Sequence, residues 1–364
     1  METHHRLMIA DARDLSRVDS GSVDLVVTSP PYPMIEMWDD LFVSLRPGIR
    51  DALDAGDGEA CFQAMHRELD TVWRELYRVV REGGILCINV GDATRSLGES
   101  FRLYSNHARI ISACTACGFQ MLPEILWRKQ TNAPNKFIGS GTLPPGAYVT
   151  LEHEWILIFR KSAPRVFPTA EARRNRRESA YFWEERNIWF SDVWDFKGVR
   201  QHLSTEGVGG GRSRAANGAR SRSAAFPFEL AYRLINMFSV KGDWVLDPFA
   251  GCGTTVLAAM CAGRNSTAVE IEENLIPLLQ AQASDIVPTG NRRILERLER
   301  HRLFIEECRR NGRELKYTNR HYGFPVVSRQ EREILINYLS SLTSTADLHW
   351  RIAYSSEPGL TLRL

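Results

Sequence analysis

The distribution of apolar residues divides much of the chain into short predicted strands. Each strand is a brief apolar run, bounded by glycine, proline or acidic residues and too short to be a helix. These runs cover residues 23–27, 85–90, 155–159, 244–246 and 266–269. Because they alternate with helical patterns, the chain is typical of an α/β layer built on an open, mostly parallel sheet.

Helices are predicted where apolar residues recur every three or four positions. The clearest stripe runs over residues 62–80 and stops before Gly83-Gly84. A second helix is predicted over residues 102–117, with Gly118 as its stop signal. Helices of this kind bury one apolar face, so we expect them to cover the sheet.

Beyond residue 290 the pattern changes to basic and helical. Residues 294–308 predict a basic amphipathic helix, and Ser328 with Glu331 forms a capping-box pattern ahead of the apolar residues of 334–342. Residues 292–332 carry twelve lysines and arginines against six acidic residues. These segments predict a C-terminal helical extension that could contact DNA or a second subunit.

The first candidate for chemistry is the stretch Thr28-Ser29-Pro30-Pro31-Tyr32, which directly follows a predicted strand. Two prolines remove two N–H donors, so the turn presents mainly carbonyl acceptors, to which Ser29 adds a hydroxyl and Tyr32 an aromatic face. This combination suits a planar ring with an exocyclic amino group, such as an extruded nucleobase. Taken alone, the stretch is also compatible with a strand terminator carrying a surface tyrosine.

The second candidate is Asp247-Pro248-Phe249-Ala250-Gly251-Cys252-Gly253-Thr254-Thr255, a glycine-rich turn between a predicted strand and a predicted helix. Glu270 follows Gly251 by 19 residues, close to the ~20 expected for an acid that bonds ribose hydroxyls. The missing third glycine and the leading aspartate argue against a nicotinamide site. Asp247 is placed to accept from an ammonium group, so the pattern favours a nucleoside with an amino acid tail, such as S-adenosylmethionine.

Composition narrows the class of protein. At 364 residues and 43% hydrophobic content, the chain can bury a full core. No apolar run reaches 18 residues and residues 1–7 lack a signal-peptide core, so we expect no membrane span and a cytoplasmic, prokaryotic location. Seven cysteines argue against a disulfide scaffold, and the Cys114–Cys117 pair has no second pair to complete a zinc site. No metal is expected.

The chain as a whole has a net charge of only +2, but a segment in the middle of the chain is strongly basic. Residues 160–222 contain fourteen lysines and arginines against seven acidic residues, interleaved with aromatic residues. Within them, residues 207–214 form a glycine-rich loop that includes Arg212 and Arg214. Such a segment suits ordering on nucleic-acid phosphates, although composition alone is equally that of a solvated linker.

Together, the two motifs make the chain resemble the β class of amino-methyltransferases that modify DNA bases, in which the catalytic motif precedes the cofactor motif. The resemblance covers most of residues 6–285. The first motif is similar to the serine form usual for cytosine-N4 enzymes, and the second resembles the methionine-binding loop. The resemblance implies a Rossmann-like methyltransferase sheet flanked by helices, with an inserted target-recognition region.

The resemblance also implies roles for individual residues. The catalytic group comprises Ser29, Pro30, Pro31 and Tyr32. The cofactor group comprises Asp11, Phe228, Asp247, Pro248, Phe249, Gly251, Gly253, Thr254 and Glu270. Arg212 and Arg214 are expected to bind DNA. The expected divisions are residues 1–125 for the catalytic half, 126–223 for target recognition, 224–290 for cofactor binding and 291–364 for the extension.

The function implied by the resemblance is direct transfer of a methyl group from S-adenosylmethionine to N4 of a flipped cytosine in duplex DNA. Adenine-N6 methylation by the same fold is the nearest alternative, and a non-catalytic DNA-binding protein is a more distant one. RNA is not excluded by charge. The expected partners are double-stranded DNA and a cognate restriction endonuclease, with the chain a monomer or a homodimer.

Overall fold

The computed structural model describes residues 1–98, 100–129, 138–198 and 226–357. Within them, its helices are α1 (Asp39–Leu45), α2 (Gly48–Asp54), α3 (Gly58–Val79), α4 (Asn106–Ala116), α5 (Ala170–Glu178), α6 (Trp183–Trp189), α7 (Phe228–Phe238), α8 (Thr254–Ala262), α9 (Ile276–Ser284) and α10 (Ile286–Arg310). Short 3-10 helices cover Glu36–Trp38, Glu273–Leu275 and Arg329–Glu333. In this part of the chain, no helix is long and apolar enough to cross a membrane.

The strands are β1 (Glu2–Ile9), β2 (Val23–Thr28), β3 (Val80–Val90), β4 (Ala93–Leu97), β5 (Ser100–Tyr104), β6 (Phe119–Met121), β7 (Ile125–Arg128), β8 (Ile138–Gly139), β9 (Ala147–Tyr148), β10 (His153–Lys161), β11 (Val193–Asp195), β12 (Trp244–Asp247), β13 (Asn265–Glu270), β14 (Tyr317–Thr318), β15 (Pro325–Val326), β16 (Tyr338–Ala346) and β17 (His349–Ser355). Eleven of them form one sheet in the order β11-β7-β10-β3-β2-β12-β13-β1-β17-β16, with β6 paired to β10. Its five central strands, β3, β2, β12, β13 and β1, run parallel. The predicted α/β architecture is confirmed.

Both faces of the sheet are covered, because the central strands are apolar on both sides. In β2, Leu25 and Val27 belong to a core shared with α7, α8 and α10, whereas Val26 belongs to a core shared with α3 and α4. This division follows from the alternation of side chains along a strand. The predicted stripe of residues 62–80 is the buried face of α3, which includes the fully buried Trp73.

The chain after residue 290 matches its prediction only in part. Residues 294–308 are helical, inside α10. The helix expected over residues 334–342 does not form. The capping box instead begins a five-residue 3-10 helix that ends at Glu333, and the chain enters β16 at Tyr338. The Asn291 side chain in α10 accepts from the Leu339 N–H and donates to the Leu339 carbonyl, 2.8 Å each. These tertiary bonds, with pairing to β17, satisfy an extended backbone and outweigh local helical preference.

Two further segments bear on the expected organisation. The helix predicted over residues 102–117 begins at Asn106, since residues 100–104 form a hairpin strand with β4. Strands β7, β10 and β11, which come from the expected target-recognition region, extend the central sheet. The described part of that region is therefore continuous with the central sheet, and its boundaries stay a prediction.

Candidate active site

The two sequence motifs lie side by side because their strands are neighbours in the sheet. Strand β2 pairs in parallel with β12, with Val26 opposite Leu246, so both strands end at the same edge. At these strand ends, the Thr28 hydroxyl donates to Asp247 Oδ1 over 2.7 Å. The carboxyl ends of parallel strands are where ligand crevices form in open α/β sheets.

A cavity opens at this edge and takes residues from both motifs. The predicted site residues that line it are Asp11, Ser29, Pro30, Pro31, Pro248, Phe249, Gly251, Thr254 and Glu270. The predicted site residues that do not line it are Tyr32, Phe228, Asp247 and Gly253. Arg212 and Arg214 lie outside the described residues. The structure therefore brings both motifs to one cavity, while the side chains of Tyr32 and Asp247 do not line it.

The glycine-rich turn has the backbone conformation that glycine permits. Gly251 has a φ of +51°, and a Cβ there would meet no atom within 4 Å, so its backbone is open to a ligand. Gly253 has a φ of +81°, and its Cβ would come within 2.6 Å of the Leu279 side chain. Gly253 thus serves packing against α9. The helix α8 begins directly afterwards at Thr254, where its free N–H groups suit a carboxylate.

Glu270 presents its carboxylate at the cavity wall. Its Oε2 accepts from the Gly251 N–H over 2.7 Å, and its Oε1 accepts from the N–H groups of Ile271 and Glu272. Burial raises the pKa of Glu270, and these backbone hydrogen bonds oppose that rise by favouring the charged form. The carboxylate is held in one orientation and retains lone pairs that could accept from the hydroxyls of a sugar.

Asp247 lies beneath the turn rather than in the cavity. It is 2% exposed, and its carboxylate accepts from the Thr28 hydroxyl, the Thr255 hydroxyl and the Phe249 N–H. Burial raises its pKa to about 6 despite these hydrogen bonds. In this structure Asp247 therefore stabilises the loop through hydrogen bonds made on the side away from the cavity.

Asp11 is paired with a neighbouring arginine that the sequence analysis did not single out. The Arg13 guanidinium donates to both oxygens of Asp11, at 2.7 Å for the shortest contact, and Arg13 also donates to Glu68 over 2.6 Å. All three side chains line the cavity. Asp11 therefore faces a ligand as part of an ion-paired group.

Phe226, which precedes the predicted Phe228 by two residues, lines the cavity together with the aromatic residues Trp38 and Phe249. Phe226 is buried and lines the cavity. Phe228 begins α7 and stacks on Tyr232 at 5.6 Å between ring centres. The structure therefore places Phe226 in the cavity lining and Phe228 outside it, and a role of Phe228 in cofactor binding stays a prediction. In the sequence, the Phe226-Pro227 pair marks this position just ahead of α7.

Tyr32 is enclosed by a polar network behind Ser29. Its hydroxyl lies 3.0 Å from Ser29 Oγ and 3.1 Å from Glu154 Oε2. The Asn89 amide donates to the Tyr32 hydroxyl over 2.9 Å and to Glu154 Oε2 over 2.6 Å. The Lys129 ammonium pairs with Glu154 Oε1. Burial and the charge of Glu154 raise the pKa of Tyr32 well above its ordinary value, so the phenol keeps its proton.

The loop that carries Tyr32 is held against the end of β3. The Asn106 amide donates to the carbonyls of Pro33 and Gly91, 3.0 Å each. A Cβ on Gly91 would lie 3.1 Å from the Tyr32 ring, so the missing side chain admits the ring. Asn89, Lys129 and these contacts gave no sequence signal, because their partners are distant along the chain. Glu154 directly precedes the predicted strand of residues 155–159.

Comparison with known proteins agrees with this geometry. Residues 23–281 match the model of a family described as DNA methylase. The chain is 51% identical to the type II methyltransferase M.MthZI of Methanothermobacter thermautotrophicus, over 93% of this chain and 91% of that protein. It is 46% identical to the type II methyltransferase M.MjaI of Methanocaldococcus jannaschii, over 76% of this chain and 90% of that one.

Solved structures give the same result. The Thermus thermophilus protein TTHA0409, in complex with S-adenosyl-L-methionine, is 34% identical, with a TM-score of 0.57 over 78% of this chain and 96% of that one. The cytosine-N4-specific PvuII DNA methyltransferase is 15% identical, with a TM-score of 0.51 over 75% and 84%, a likeness of fold alone. The resemblance proposed from the two motifs is confirmed: this chain belongs to the DNA methylase family.

Proposed function

We propose that this DNA methyltransferase transfers a methyl group from S-adenosylmethionine to N4 of a flipped cytosine within a specific duplex sequence. The observation that carries the proposal is the position of Ser29. Its hydroxyl lies at the cavity wall beside the motif that resembles the methionine-binding loop, and it is hydrogen-bonded from behind to Tyr32. Serine at this place is the form usual for cytosine-N4 enzymes of the resembling class.

The cofactor is S-adenosylmethionine, and the lining residues fit it. Glu270 would accept from the ribose hydroxyls, and the open backbone at Gly251 would admit the amino acid tail. Phe226 would cover the adenine, with Asp11 at its edge. The role of Asp247 would be to hold the loop in shape from beneath. When bound, the cofactor supplies an electrophilic methyl group on a positively charged sulfur.

The catalytic motif would hold the target amine as the nucleophile. Ser29 Oγ and the Pro30 carbonyl would accept its two hydrogens. The resemblance also implies that the base stacks against Tyr32, and this buried ring would then have to become exposed when the base enters. These acceptors direct the nitrogen lone pair toward the methyl carbon, a gain from orientation. Ser29 is a weak base, so the proton leaves once the nitrogen has become cationic.

The nearest alternative is adenine-N6 methylation, because both reactions present an exocyclic amine to the same acceptors. A sequence-specific DNA-binding protein without activity is the more distant alternative. The intact cavity wall around Ser29 and Glu270 favours an enzyme over it.

The DNA would be held by basic segments outside the cofactor cavity. Arg212 and Arg214 would contact phosphates from the glycine-rich loop, which lies outside the described residues. A cognate restriction endonuclease acting on the same sequence is the expected functional partner, and the chain would act as a monomer or a homodimer.

The test is mass analysis of nucleosides from the genomic DNA of cells that express the protein. N4-methylcytosine supports the proposal, and N6-methyladenine would establish the adenine alternative. No methylated base, together with no binding of S-adenosylmethionine, would favour the non-catalytic alternative. The Tyr32→Ala variant is a companion test, since loss of ~1–3 kcal/mol of base stacking should lower methylation by about 5- to 150-fold while leaving cofactor affinity nearly unchanged.

A further inference from the structure

We propose that Glu154 is the final acceptor of the proton released from the target amine, reached through Ser29 and Tyr32. The inference rests on the proposed methylation of an exocyclic amine, and it applies equally to cytosine and adenine. Glu154 does not line the cavity, so it would act through Tyr32 as a positioning and proton-accepting residue.

The three groups form a continuous hydrogen-bonded chain from the cavity into the protein. Ser29 Oγ lies at the cavity wall, 3.0 Å from the Tyr32 hydroxyl, which lies 3.1 Å from Glu154 Oε2. Both distances allow proton transfer between oxygens without movement of the backbone. Glu154 is 8% exposed, and Tyr32 is 7% exposed, so bulk water competes little for these bonds.

The donor and acceptor roles of the three groups allow only one direction for these hydrogen bonds, from Ser29 through Tyr32 to Glu154. An ionised carboxylate only accepts, so the Tyr32 proton must point to Glu154. The Tyr32 oxygen then has no proton left for Ser29, and the serine hydroxyl must donate to it. Ser29 therefore turns its lone pairs away from Tyr32, and they are free to accept from an amine in the cavity.

Asn89 and Lys129 keep Glu154 in the state that this direction requires. The Asn89 amide nitrogen donates to Tyr32 and Glu154 while its Oδ1 is buried without a partner. The opposite amide orientation would place two acceptors 2.6 Å apart, so the donor orientation is the stable one. The Lys129 ammonium stabilises the charged carboxylate, and its side chain is 27% exposed.

The proposed step balances in atoms and electrons. The amine lone pair forms the C–N bond as the C–S bond breaks, and the electron pair of that bond goes to sulfur. The nitrogen, now cationic, gives a proton to Ser29, whose own proton passes to Tyr32, and the Tyr32 proton passes to Glu154. Ser29 and Tyr32 end neutral, and Glu154 ends as a carboxylic acid. Exchange beside the partly exposed Lys129 returns the proton to water.

The first test compares single-turnover methylation by the wild-type protein and by Glu154→Gln over a range of pH. The duplex carries the site mapped in genomic DNA, and S-adenosylmethionine is saturating. The wild-type rate should fall toward acid pH, because a carboxyl group that already holds a proton cannot accept another. The glutamine variant should be slower by about 10²-fold at neutral pH and should lack that acid fall. The control is Glu178→Gln, which also breaks a lysine–glutamate pair, with Lys241, but away from the cavity.

Two more variants separate proton transfer from structural support. Tyr32→Phe keeps the ring and the Lys129–Glu154 pair but removes the relaying hydroxyl, so it should lose rate as Glu154→Gln does. The double variant, Tyr32→Phe with Glu154→Gln, should be little slower than either single variant, because each substitution interrupts the same series of hydrogen bonds. Glu154→Asp should recover part of the rate and regain the acid fall.

Wild-type rates and an unchanged acid fall in Glu154→Gln or in Tyr32→Phe would overturn the proposal. Should Glu154→Gln fail to fold, Tyr32→Phe decides the question alone, with affinity for S-adenosylmethionine measured by calorimetry as the check on its fold. The base that the wild-type protein methylates is identified by nucleoside analysis, independently of the rates of the variants. A product of N6-methyladenine would overturn the cytosine assignment while leaving the comparison of the variants fully interpretable.

Discussion

The hydroxyl of Thr28 donates to the carboxylate of Asp247 over 2.7 Å, and this hydrogen bond joins the catalytic motif to the cofactor motif. The residues are 219 positions apart in the chain, but they are the last residues of neighbouring strands of the sheet. Asp247 also accepts from Thr255 at the start of α8. A substitution of Asp247 should therefore disturb both the catalytic motif and the cofactor motif.

Replacement of Asp247 by alanine should weaken S-adenosylmethionine binding by roughly 1.5–3 kcal/mol, because three donors around the loop lose their acceptor. Calorimetry on the folded variant measures this. The control is Asp243→Ala, which removes another buried aspartate that is paired with Arg165. Asp243→Ala should lower stability and retain cofactor affinity. Wild-type affinity in folded Asp247→Ala would contradict the bracing role.

Asp247 should also make stability depend on pH in a defined direction. Its folded pKa of about 6 exceeds the ordinary value of 3.8, so protonation favours the folded state. That contribution is complete below about pH 4 and is lost as the pH rises through about 6. Relative to wild type, Asp247→Asn should therefore gain about 3 kcal/mol in free energy of unfolding between pH 4 and pH 7. Urea unfolding of both proteins measures the difference, and a constant difference across this range would refute it.

Phe226→Ala should weaken S-adenosylmethionine binding, whereas Phe228→Ala should not, because the cavity is lined by Phe226 alone of the two. Each substitution removes an aromatic side chain from a packed region, so both should lower the free energy of unfolding by a few kcal/mol. Each variant is thus the stability control for the other. Calorimetric titration decides the question, and equal loss of affinity in the two variants would show that the helix α7, rather than the Phe226 ring, holds the cofactor.

Deletion of residues 207–216 should lower DNA affinity and flatten its salt dependence. Each lost phosphate contact reduces the slope of log affinity against log salt by about 0.9. Arg212 and Arg214 are the residues expected to make these contacts. The control replaces the segment with glycine and serine at equal length, which should reproduce the loss. Fluorescence anisotropy at several salt concentrations gives the slope, and an unchanged slope would leave the segment a solvated linker.

Ser29→Asp should abolish cytosine methylation while DNA binding persists, since the basic segments lie elsewhere. The new carboxylate would lie close to the Tyr32 hydroxyl, which already bonds Glu154, and would add a second negative charge there. We do not expect efficient adenine methylation, because target recognition still selects the flipped base. Product analysis on duplexes with the native site measures this, with the exposed Ser22→Asp as a charge control. Full N4-methylcytosine formation would show that Ser29 does not contact the amine.

The strands and motifs could be predicted because their signals are local. The apolar run of residues 23–27 must be buried on both faces wherever it lies, and the two prolines after it end the strand regardless of the surrounding fold. The glycines of the second motif likewise encode a turn through their own backbone freedom. These signals were sufficient for the sheet, the cofactor loop and the family.

Tertiary structure decided the features whose partners are far apart in sequence. Residues 334–342 have helical spacing, but Asn291 and β17 bond to their backbone and hold it extended. Tyr32 and Glu154 are separated by 122 positions, and they meet because β2 and β10 both pair with β3. Hydrophobic periodicity is read over neighbouring residues and specifies which face of an element is buried. It carries no information about which polar groups meet once those faces have packed.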